Sequence, residues 1–380
     1  MADFLSQNLF LPEKIVISGQ AFYQGVCMDI DRAQASVDLE MYIFDDDIAG
    51  RMVAQSLIAA STRGVRVRAH VDGVGSNQWG GRLAQELVAA GVQVRIFHPL
   101  PWHFWKWRDP VRSRFWFEKI FVLLTKINRR NHRKMVIIDK KLAWVGSFNI
   151  SAQHLPKIQG GADWRDTAVR IADDRVSDLV LAFRREWSHA YLARFLTKRP
   201  RFPRLVRINN TRKARNRLYR ELLKRVGTCG KRLWVTSAYF IPEYRLLRHI
   251  LDAARRGVDV RILLPMQADV RFMTWSARSF YTQLLDAGVK IFEYSPAVLH
   301  AKVLIIDDWV SVGSSNMNFR SLFHDLEVDL VIRDENAQRE LTEQFAADLQ
   351  RSESIESGGS RNSIFFLWLG KVILLLRVFL

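Results

Sequence analysis

The sequence has few cysteines, a deficit of acidic residues and no apolar leader at its start. It contains 2 cysteines, Cys27 and Cys229, which indicates neither a disulfide framework nor a zinc site built on cysteines. Residues 1–20 lack the basic start and long apolar core of a signal peptide, so we expect no export. Acidic residues number 39 against 57 lysines and arginines, a formal net charge of +18. This excess predicts a polyanionic partner, either nucleic acid or an anionic membrane surface.

The length and the aromatic content narrow these alternatives. At 380 residues the chain is long enough for two ordinary domains, each with its own core. It carries 12 tryptophans and 23 phenylalanines. Because tryptophan favours the bilayer interface, this composition favours a membrane over a nucleic acid.

One pattern of polar residues occurs twice. In each copy a histidine is followed two residues later by a lysine and five after that by an aspartate, and then by a Gly-Ser pair with an asparagine two residues after the serine. The first copy is His132, Lys134, Asp139, Gly146, Ser147 and Asn149, and the second is His300, Lys302, Asp307, Gly313, Ser314 and Asn316. A single His-x-Lys pair is a weak signal, but two copies in register are a strong one.

The spacing predicts how these side chains point. The runs 135–138 and 303–306 are apolar and rich in β-branched residues, which predicts strands buried on both faces. Residues i and i+2 of a strand share a face, so the histidine and lysine of each copy point the same way. A histidine can serve as nucleophile or acid, and lysine, serine and asparagine donate to an anion. Two such sets facing each other would surround one phosphate.

The order of predicted elements is duplicated along the chain. In the first half, predicted strands at 36–44, 65–72 and 92–97 alternate with predicted helices at 21–33, 47–63 and 81–90. The second half repeats this order, beginning with a strand at 233–241 and a helix at 245–256. The sequence therefore predicts an α/β fold made of two similar halves. We expect a first domain at 1–195, a second at 196–350, and a polar linker with an apolar tail at 351–380.

Three segments are candidates for membrane contact. The offset between the halves falls from 288 − 91 = 197 to 300 − 132 = 168, so the first half carries about 29 extra residues near 100–130. Their mixture of aromatic and basic residues suits an anionic lipid interface, or else a loop packed on the domain. Residues 364–380 are apolar except for Lys371 and Arg377, which predicts a membrane anchor or a buried helix. The basic stretch 188–232 forms a solvated helical face or a headgroup-binding surface.

The paired motifs resemble those of the phospholipase D superfamily, over roughly residues 30–335. The stretch 131–151, followed by Trp164-Arg165-Asp166-Thr167, is similar to bacterial cardiolipin synthases of the shorter kind, which lack a pair of N-terminal transmembrane helices. The resemblance implies two phospholipase D-like α/β/α domains related by a pseudo-two-fold axis, with the active site at their interface. It also implies that one motif histidine attacks phosphorus and forms a phosphohistidine, while the other protonates the leaving alcohol and then activates the acceptor. The sequence does not decide which histidine is the nucleophile.

The resemblance also implies roles for the remaining polar residues. The candidate catalytic residues are His132, Lys134, Asp139, His300, Lys302 and Asp307. Of these, the aspartates lie an odd number of residues from their histidines, so we expect them to support the scaffold. Ser147, Asn149, Ser314 and Asn316, together with the lysines, are expected to hold phosphate oxygens, with no metal or cofactor.

A reactive histidine usually needs a carboxylate on its other ring nitrogen, and Asp166 and Glu327 are the candidates. The other seven histidines, His154 among them, have no matching partner in the other half and are assigned to core or surface positions. Tyr42 and Tyr239 are expected at equivalent strand ends, where either packing or substrate contact explains them.

The implied reaction transfers a phosphatidyl group to phosphatidylglycerol, from either phosphatidylglycerol or phosphatidylethanolamine, and yields cardiolipin. We expect it at a bacterial inner membrane, with the catalytic domain on the cytoplasmic side and nucleic acid not a partner. The alternatives are a phospholipase D-type hydrolase, a metal-independent nuclease or phosphodiesterase, and a non-catalytic membrane scaffold. The sequence leaves the oligomeric state open.

Overall fold

A computed structural model describes residues 13–76, 81–98, 129–188, 201 and 204–356 of the chain. Nearly all of the predicted insertion at 100–130, the tail at 364–380 and the domain boundary at 195–196 lie outside these ranges, so those predictions stay open. Within the described ranges, no helix is long and apolar enough to cross a membrane.

The first half forms a seven-stranded mixed sheet. Its strands are β1 (Glu13–Val16), β2 (Ser36–Met41), β3 (Arg66–Asp72), β4 (Gln93–Phe97), β5 (Met135–Ile138), β6 (Leu142–Gly146) and β7 (Ala168–Ile171). Its helices are α1 (Gly19–Asp31), α2 (Ile48–Thr62), α3 (Arg82–Ala89) and α4 (Val176–Trp187). The strands lie in the order β1-β7-β6-β5-β2-β3-β4, with β2, β3 and β4 parallel and the remaining pairs antiparallel.

The second half repeats this order with an additional strand at one edge. Its strands are β8 (Val206–Ile208), β9 (Arg232–Thr236), β10 (Phe240–Ile241), β11 (Asp259–Pro265), β12 (Lys290–Tyr294), β13 (Val303–Ile306), β14 (Trp309–Gly313), β15 (Met317–Asn318), β16 (Val328–Ile332) and β17 (Ser352–Ile355). Its helices are α5 (Arg212–Thr228), α6 (Tyr244–Arg255), α7 (Arg271–Arg278), α8 (Tyr281–Asp286), α9 (Phe319–Phe323) and α10 (Glu335–Gln350). The sheet order is β17-β12-β11-β9-β13-β14-β16-β8, and β10 and β15 form a separate parallel pair. The predicted α/β duplication is confirmed.

The helix and strand bounds follow from local chemistry. α2 begins after Asp47, whose side chain accepts the N–H of Gly50, and it ends before Arg63. The predicted helix at 47–63 therefore included its two capping residues. The predicted strand at 233–241 is divided into β9 and β10. Ser237 interrupts it, because its hydroxyl donates to the carbonyl of Tyr239 (2.8 Å) and accepts the N–H of Met317 (3.2 Å).

Two further expectations are wrong. Residues 352–355, expected in a linker, form β17, which pairs antiparallel with β12 at the edge of the sheet. An unpaired sheet edge presents N–H and C=O groups that a following segment can satisfy. The register also separates the two tyrosines. Val37 pairs with Ile138 as Leu233 pairs with Ile306, so Tyr239 is equivalent to Ile43 and not to Tyr42.

The two sheets share one buried core. It contains Met135 and Ile137 of β5 together with Val303 and Ile305 of β13, and neighbouring strands of both halves. Helices α1 and α2 cover the other face of the first sheet, and α5 and α6 cover that of the second. The prediction that the motif strands are buried on both faces is confirmed. This packing fixes the two motif strands relative to each other.

The motif aspartates occupy the turns at the far ends of these strands. The carboxylate of Asp307 accepts backbone N–H groups of Gly230 (3.0 Å), Lys231 (2.8 Å) and Arg232 (3.0 Å). Asp139 does the same in the first half, with N–H groups of residues 34–36 at 2.7–2.9 Å. The first turn contains three residues and the second two, which explains why the repeat offset changes by one residue within the motif.

We expect Asp307→Ala to destabilise the protein by about 2 kcal/mol, since three N–H groups lose a charged acceptor and alanine is strained at a φ of 51°. Asp308→Ala, at the exposed neighbouring residue, is the matched control and should have little effect. Urea unfolding measures both. The three N–H bonds outweigh burial and lower the pKa of Asp307 in the folded state, so its contribution is present at neutral pH. It should disappear as the pH falls below about 4. Equal stability of the two variants at pH 7 would contradict this role.

Candidate active site

The two motif histidines are held by the backbone of the opposite half. The N–H of His132 donates to the carbonyl of Leu326 (3.0 Å), and the N–H of His300 donates to the carbonyl of Arg165 (2.8 Å). Leu326 and Arg165 each directly precede one of the two predicted orienting carboxylates. The same crossing therefore carries each carboxylate to the histidine of the other half.

The side chains complete this crossed arrangement. Nδ1 of His132 lies 3.0 Å from both carboxylate oxygens of Glu327, and Nδ1 of His300 lies 2.7 Å from Oδ2 of Asp166. A carboxylate on Nδ1 fixes the proton there and leaves Nε2 as the nitrogen with the free lone pair. Both histidines are thereby oriented with the same nitrogen available for reaction.

Two buried lysines bring positive charge to the same place. Nζ of Lys134 donates to the carbonyl of His132 (2.7 Å), and Lys302 makes the equivalent bond to His300. Burial lowers the pKa of Lys134 to about 7 and that of Lys302 to about 8. Burial also lowers the pKa of His132 well below its usual value, and both lysines add to this effect. An anion between the motifs would be stabilised by these groups and would in turn keep them protonated.

The two carboxylates differ in their electrostatics. Burial raises the pKa of Glu327 to about 7, although Lys134 and two serine hydroxyls oppose the shift. Burial alone would also raise the pKa of Asp166, but His300 outweighs it and holds this pKa below its usual range. The site is therefore symmetric in its contacts and asymmetric in its charge distribution.

Of the predicted phosphate-binding residues, the serines contact the carboxylates that orient the motif histidines, and the asparagines contact the backbone. Ser147 donates its hydroxyl proton to Asp166, and Ser314 donates to Glu327. A serine hydroxyl has one proton, so neither offers a donor to phosphate in this arrangement. Oδ1 of Asn149 accepts the N–H of Ile43, and Oδ1 of Asn316 accepts the N–H of Tyr239, both at 3.3 Å. Each asparagine therefore has only its NH₂ group left as a donor.

Three further residues contact the site: Tyr42, for which the sequence left substrate contact open, and Trp164 and His154, which sequence reasoning missed. The ring of Tyr42 lies edge-on to His132, with centroids 4.8 Å apart, and the ring of Trp164 lies 5.9 Å from His300. Buried His154 lies 6.0 Å from His300, and its Nδ1 is 3.6 Å from Asp166. The signal for His154 was its position five residues after the motif asparagine. The equivalent residue is a serine, Ser321, so no residue type repeats there.

One group of side chains has the composition of a metal site. His154, Asp166 and His300 each place a possible ligand atom within 4.8 Å of the others, and no other such group occurs in the part of the chain that the structure describes. In the present geometry Asp166 and His300 are hydrogen-bonded to each other. The expectation of a reaction without a metal stays a prediction.

Comparison with known proteins agrees with this geometry. The model of the family described as "Cardiolipin synthase, PLD-like domain" matches residues 26–187 and 222–349, one segment in each half. Both segments include a complete motif together with its carboxylate.

Named relatives cover most of the chain. A cardiolipin synthase of Halalkalibacterium halodurans is 31% identical over 93% of this chain and 69% of its own length. Cardiolipin synthase 2 of Bacillus anthracis is 32% identical over 90% of this chain and 65% of its own length. Cardiolipin synthase B of Escherichia coli O6:H1 is 31% identical over 89% of this chain and 81% of its own length. The chain thus spans about two thirds of the length of the first two relatives.

A solved structure agrees on the fold. The phosphatidylserine synthase of Haemophilus influenzae superposes over all of this chain and 99% of its own, with a TM-score of 0.66 and 14% identity. At that identity the likeness concerns the fold alone, which is the duplicated phospholipase D-like fold that the motifs predicted. The chain belongs to the family of cardiolipin synthases built from phospholipase D-like domains.

Proposed function

We propose that this chain synthesises cardiolipin by moving a phosphatidyl group from one phospholipid to a hydroxyl of phosphatidylglycerol. The observation that carries the proposal is the pair of crossed histidine–carboxylate contacts, flanked by Lys134 and Lys302. Family membership supplies the substrate class, because the relatives are named for cardiolipin synthesis.

The geometry supports a two-step displacement. Nε2 of one motif histidine attacks phosphorus and forms a P–N bond, while the other histidine gives its Nε2 proton to the departing alkoxide. Free glycerol leaves if the donor is phosphatidylglycerol, and ethanolamine leaves if it is phosphatidylethanolamine. The second histidine then takes the proton of the incoming hydroxyl, whose oxygen displaces the histidine from phosphorus. Both histidines end the cycle in their starting protonation states.

The remaining polar groups divide between substrate and scaffold. We propose that Lys134, Lys302 and the NH₂ groups of Asn149 and Asn316 bind the non-bridging oxygens, where negative charge develops. Asp166 and Glu327 orient the histidines, and Ser147 and Ser314 support these carboxylates. Asp139 and Asp307 act at the turns, which lie at the far ends of the motif strands.

Burial of the site favours transfer over hydrolysis. His132 is 9% exposed and His300 4% exposed, and both lysines are more deeply buried. A poorly hydrated site reduces the access of water to the covalent intermediate, so an acceptor lipid already bound can react first.

The first prediction of this proposal concerns the products of the reaction. Incubated with phosphatidylglycerol in detergent micelles, the purified protein should produce cardiolipin and glycerol, detected by mass spectrometry. Added phosphatidylethanolamine tests the donor, because its use releases ethanolamine. EDTA should leave the rate unchanged. Phosphatidic acid as the sole product would indicate a hydrolase, and the absence of any lipid product would contradict the proposal.

The second prediction concerns the two histidines. His132→Ala and His300→Ala should each lower the rate of transfer by about 10³-fold, since each removes a proton donor or the nucleophile. His249→Ala, outside both motifs, is the control and should remain active. Intact-protein mass spectrometry should find a phosphatidyl adduct only in the variant that retains the nucleophile. Wild-type rates in either motif variant would exclude the mechanism.

We further propose that α5 and α9 face an anionic membrane. Helix α5 exposes five cations: Arg212, Lys213, Arg217, Arg220 and Lys224. Phe319 and Phe323 of α9 line an open groove with Arg220, while Ser321 of the same short helix contacts Glu327. Basic residues beside aromatic rings suit a surface of acidic headgroups. The catalytic carboxylate would then lie one helix away from the lipid surface.

The third prediction tests this surface. Arg217→Glu with Arg220→Glu should reduce sedimentation with phosphatidylglycerol vesicles several-fold and leave the weak binding to phosphatidylcholine vesicles unaltered. Arg66→Glu with Arg339→Glu makes the same change in net charge at exposed residues of β3 and α10, and serves as the control. Equal losses in the two double variants would indicate an effect of net charge and not of this surface.

A further inference from the structure

The residue five positions after each motif asparagine lies between the same two groups in both halves. In the second half, Oγ of Ser321 accepts the backbone N–H of Asn316 (3.1 Å) and donates to Oε1 of Glu327 (2.6 Å). In the first half, Nε2 of His154 accepts the backbone N–H of Asn149 (3.3 Å), and its Nδ1 lies 3.6 Å from Oδ2 of Asp166. Two different side chains thus occupy the same position between a motif asparagine and an orienting carboxylate.

The contacts of His154 define its protonation. A nitrogen that accepts an N–H carries no proton, so the single proton of the neutral ring is on Nδ1. Burial lowers the pKa of His154 to about 3, so the ring is neutral at physiological pH. The Nδ1–H group therefore faces Asp166 as a donor. It has no hydrogen-bond partner among the described residues, because 3.6 Å exceeds hydrogen-bond length.

The ring is held in this orientation. His154 is 1% exposed, and its ring lies edge-on to those of Phe148 (5.2 Å between centroids) and Trp164 (5.6 Å). Its backbone also lies against Gly19 at the start of α1, where an added Cβ would be 1.9 Å from the carbonyl oxygen of His154. A buried donor without a partner costs free energy, so a fixed one beside a carboxylate indicates a use.

We propose that His154 is a positioning residue for Asp166, as Ser321 is for Glu327. This inference rests on the proposed function. Whether His300 attacks phosphorus or protonates the leaving group, its ring alternates between a cationic and a neutral state. When the ring is neutral, Asp166 loses an ionic partner, and a small movement of its carboxylate brings it into a hydrogen bond with His154. His154 exchanges no proton. It keeps Asp166 charged and in place throughout the cycle.

The prediction for His154 compares two substitutions of similar size. His154→Gln retains one acceptor and one donor, whereas His154→Leu retains neither. We expect His154→Leu to lower kcat for cardiolipin formation by about 10-fold while KM changes less than twofold, and His154→Gln to recover most of the loss. Without the donor, Asp166 is a stronger base and raises the pKa of His300. One limb of the pH–rate profile reports the titration of His300 and is identified by its loss in His300→Ala. This limb should therefore move to higher pH in His154→Leu.

Ser321→Ala is the matched variant in the other half, and should shift the limb that belongs to His132. Thermal unfolding of each variant reports whether it is folded at the assay temperature. Equal kcat in His154→Leu and His154→Gln, or a loss without movement of the pH limb, would reduce His154 to a packing residue. Inactivation of the wild type by EDTA would make it a metal ligand instead. If the wild-type protein makes no cardiolipin, whether or not EDTA or a metal is added, the proposed function itself is contradicted.

Discussion

The site depends on the reciprocal attachment of each half to the other. The backbone bonds of His132 to Leu326 and of His300 to Arg165 set the depth at which the motif strands meet. The carboxylates that follow these two residues then reach the histidines across the interface. Neither motif histidine is oriented by a carboxylate of its own half. The shared core between the sheets therefore fixes the distance over which these bonds form.

Such a site concentrates charged groups in the poorly hydrated interior of the protein. Two lysines, two histidines and two carboxylates are buried together, and each would be costly alone. They are tolerated because each ionisable group has a partner, and because burial shifts the pKa values of both lysines and of Glu327 towards neutrality. The lowered pKa values of Lys134 and Lys302 and the raised pKa of Glu327 have this common origin. The same buried positive charge would stabilise an anion placed between the two motifs.

Much of the fold could be predicted because the same order of strands and helices occurs twice in the sequence. The strands 135–138 and 303–306 were predicted with their observed bounds, since apolar runs after a repeated motif leave little ambiguity. Asp166 and Glu327 were found by aligning the strands that follow the motifs. Their crossed assignment could not be found, because a linear repeat does not say which half supplies the partner. The division of 233–241 depends on the hydroxyl of Ser237, whose partner Met317 is distant in sequence, and β17 forms by pairing with the equally distant strand β12.

Within the candidate site, the repeat was informative only where the residue type was also repeated. Ser147 and Ser314 were predicted to hold phosphate oxygens, but their hydroxyls donate to carboxylates, which spacing cannot distinguish from phosphate. His154 and Ser321 share a position and a pair of partners without sharing any chemistry visible in the sequence. The histidine ring and the serine hydroxyl can be recognised as equivalent only in the structure, where each lies between a motif asparagine and an orienting carboxylate.

The crossed contacts also constrain how the protein is made. Glu327 follows His132 by 195 residues, and His300 follows Asp166 by 134. During synthesis His132 emerges long before Glu327, so their contact cannot form until the chain has been synthesised through residue 327. Pairings of such long sequence separation form late and slowly. The crossed contacts therefore form only after both motifs and both carboxylates have been synthesised.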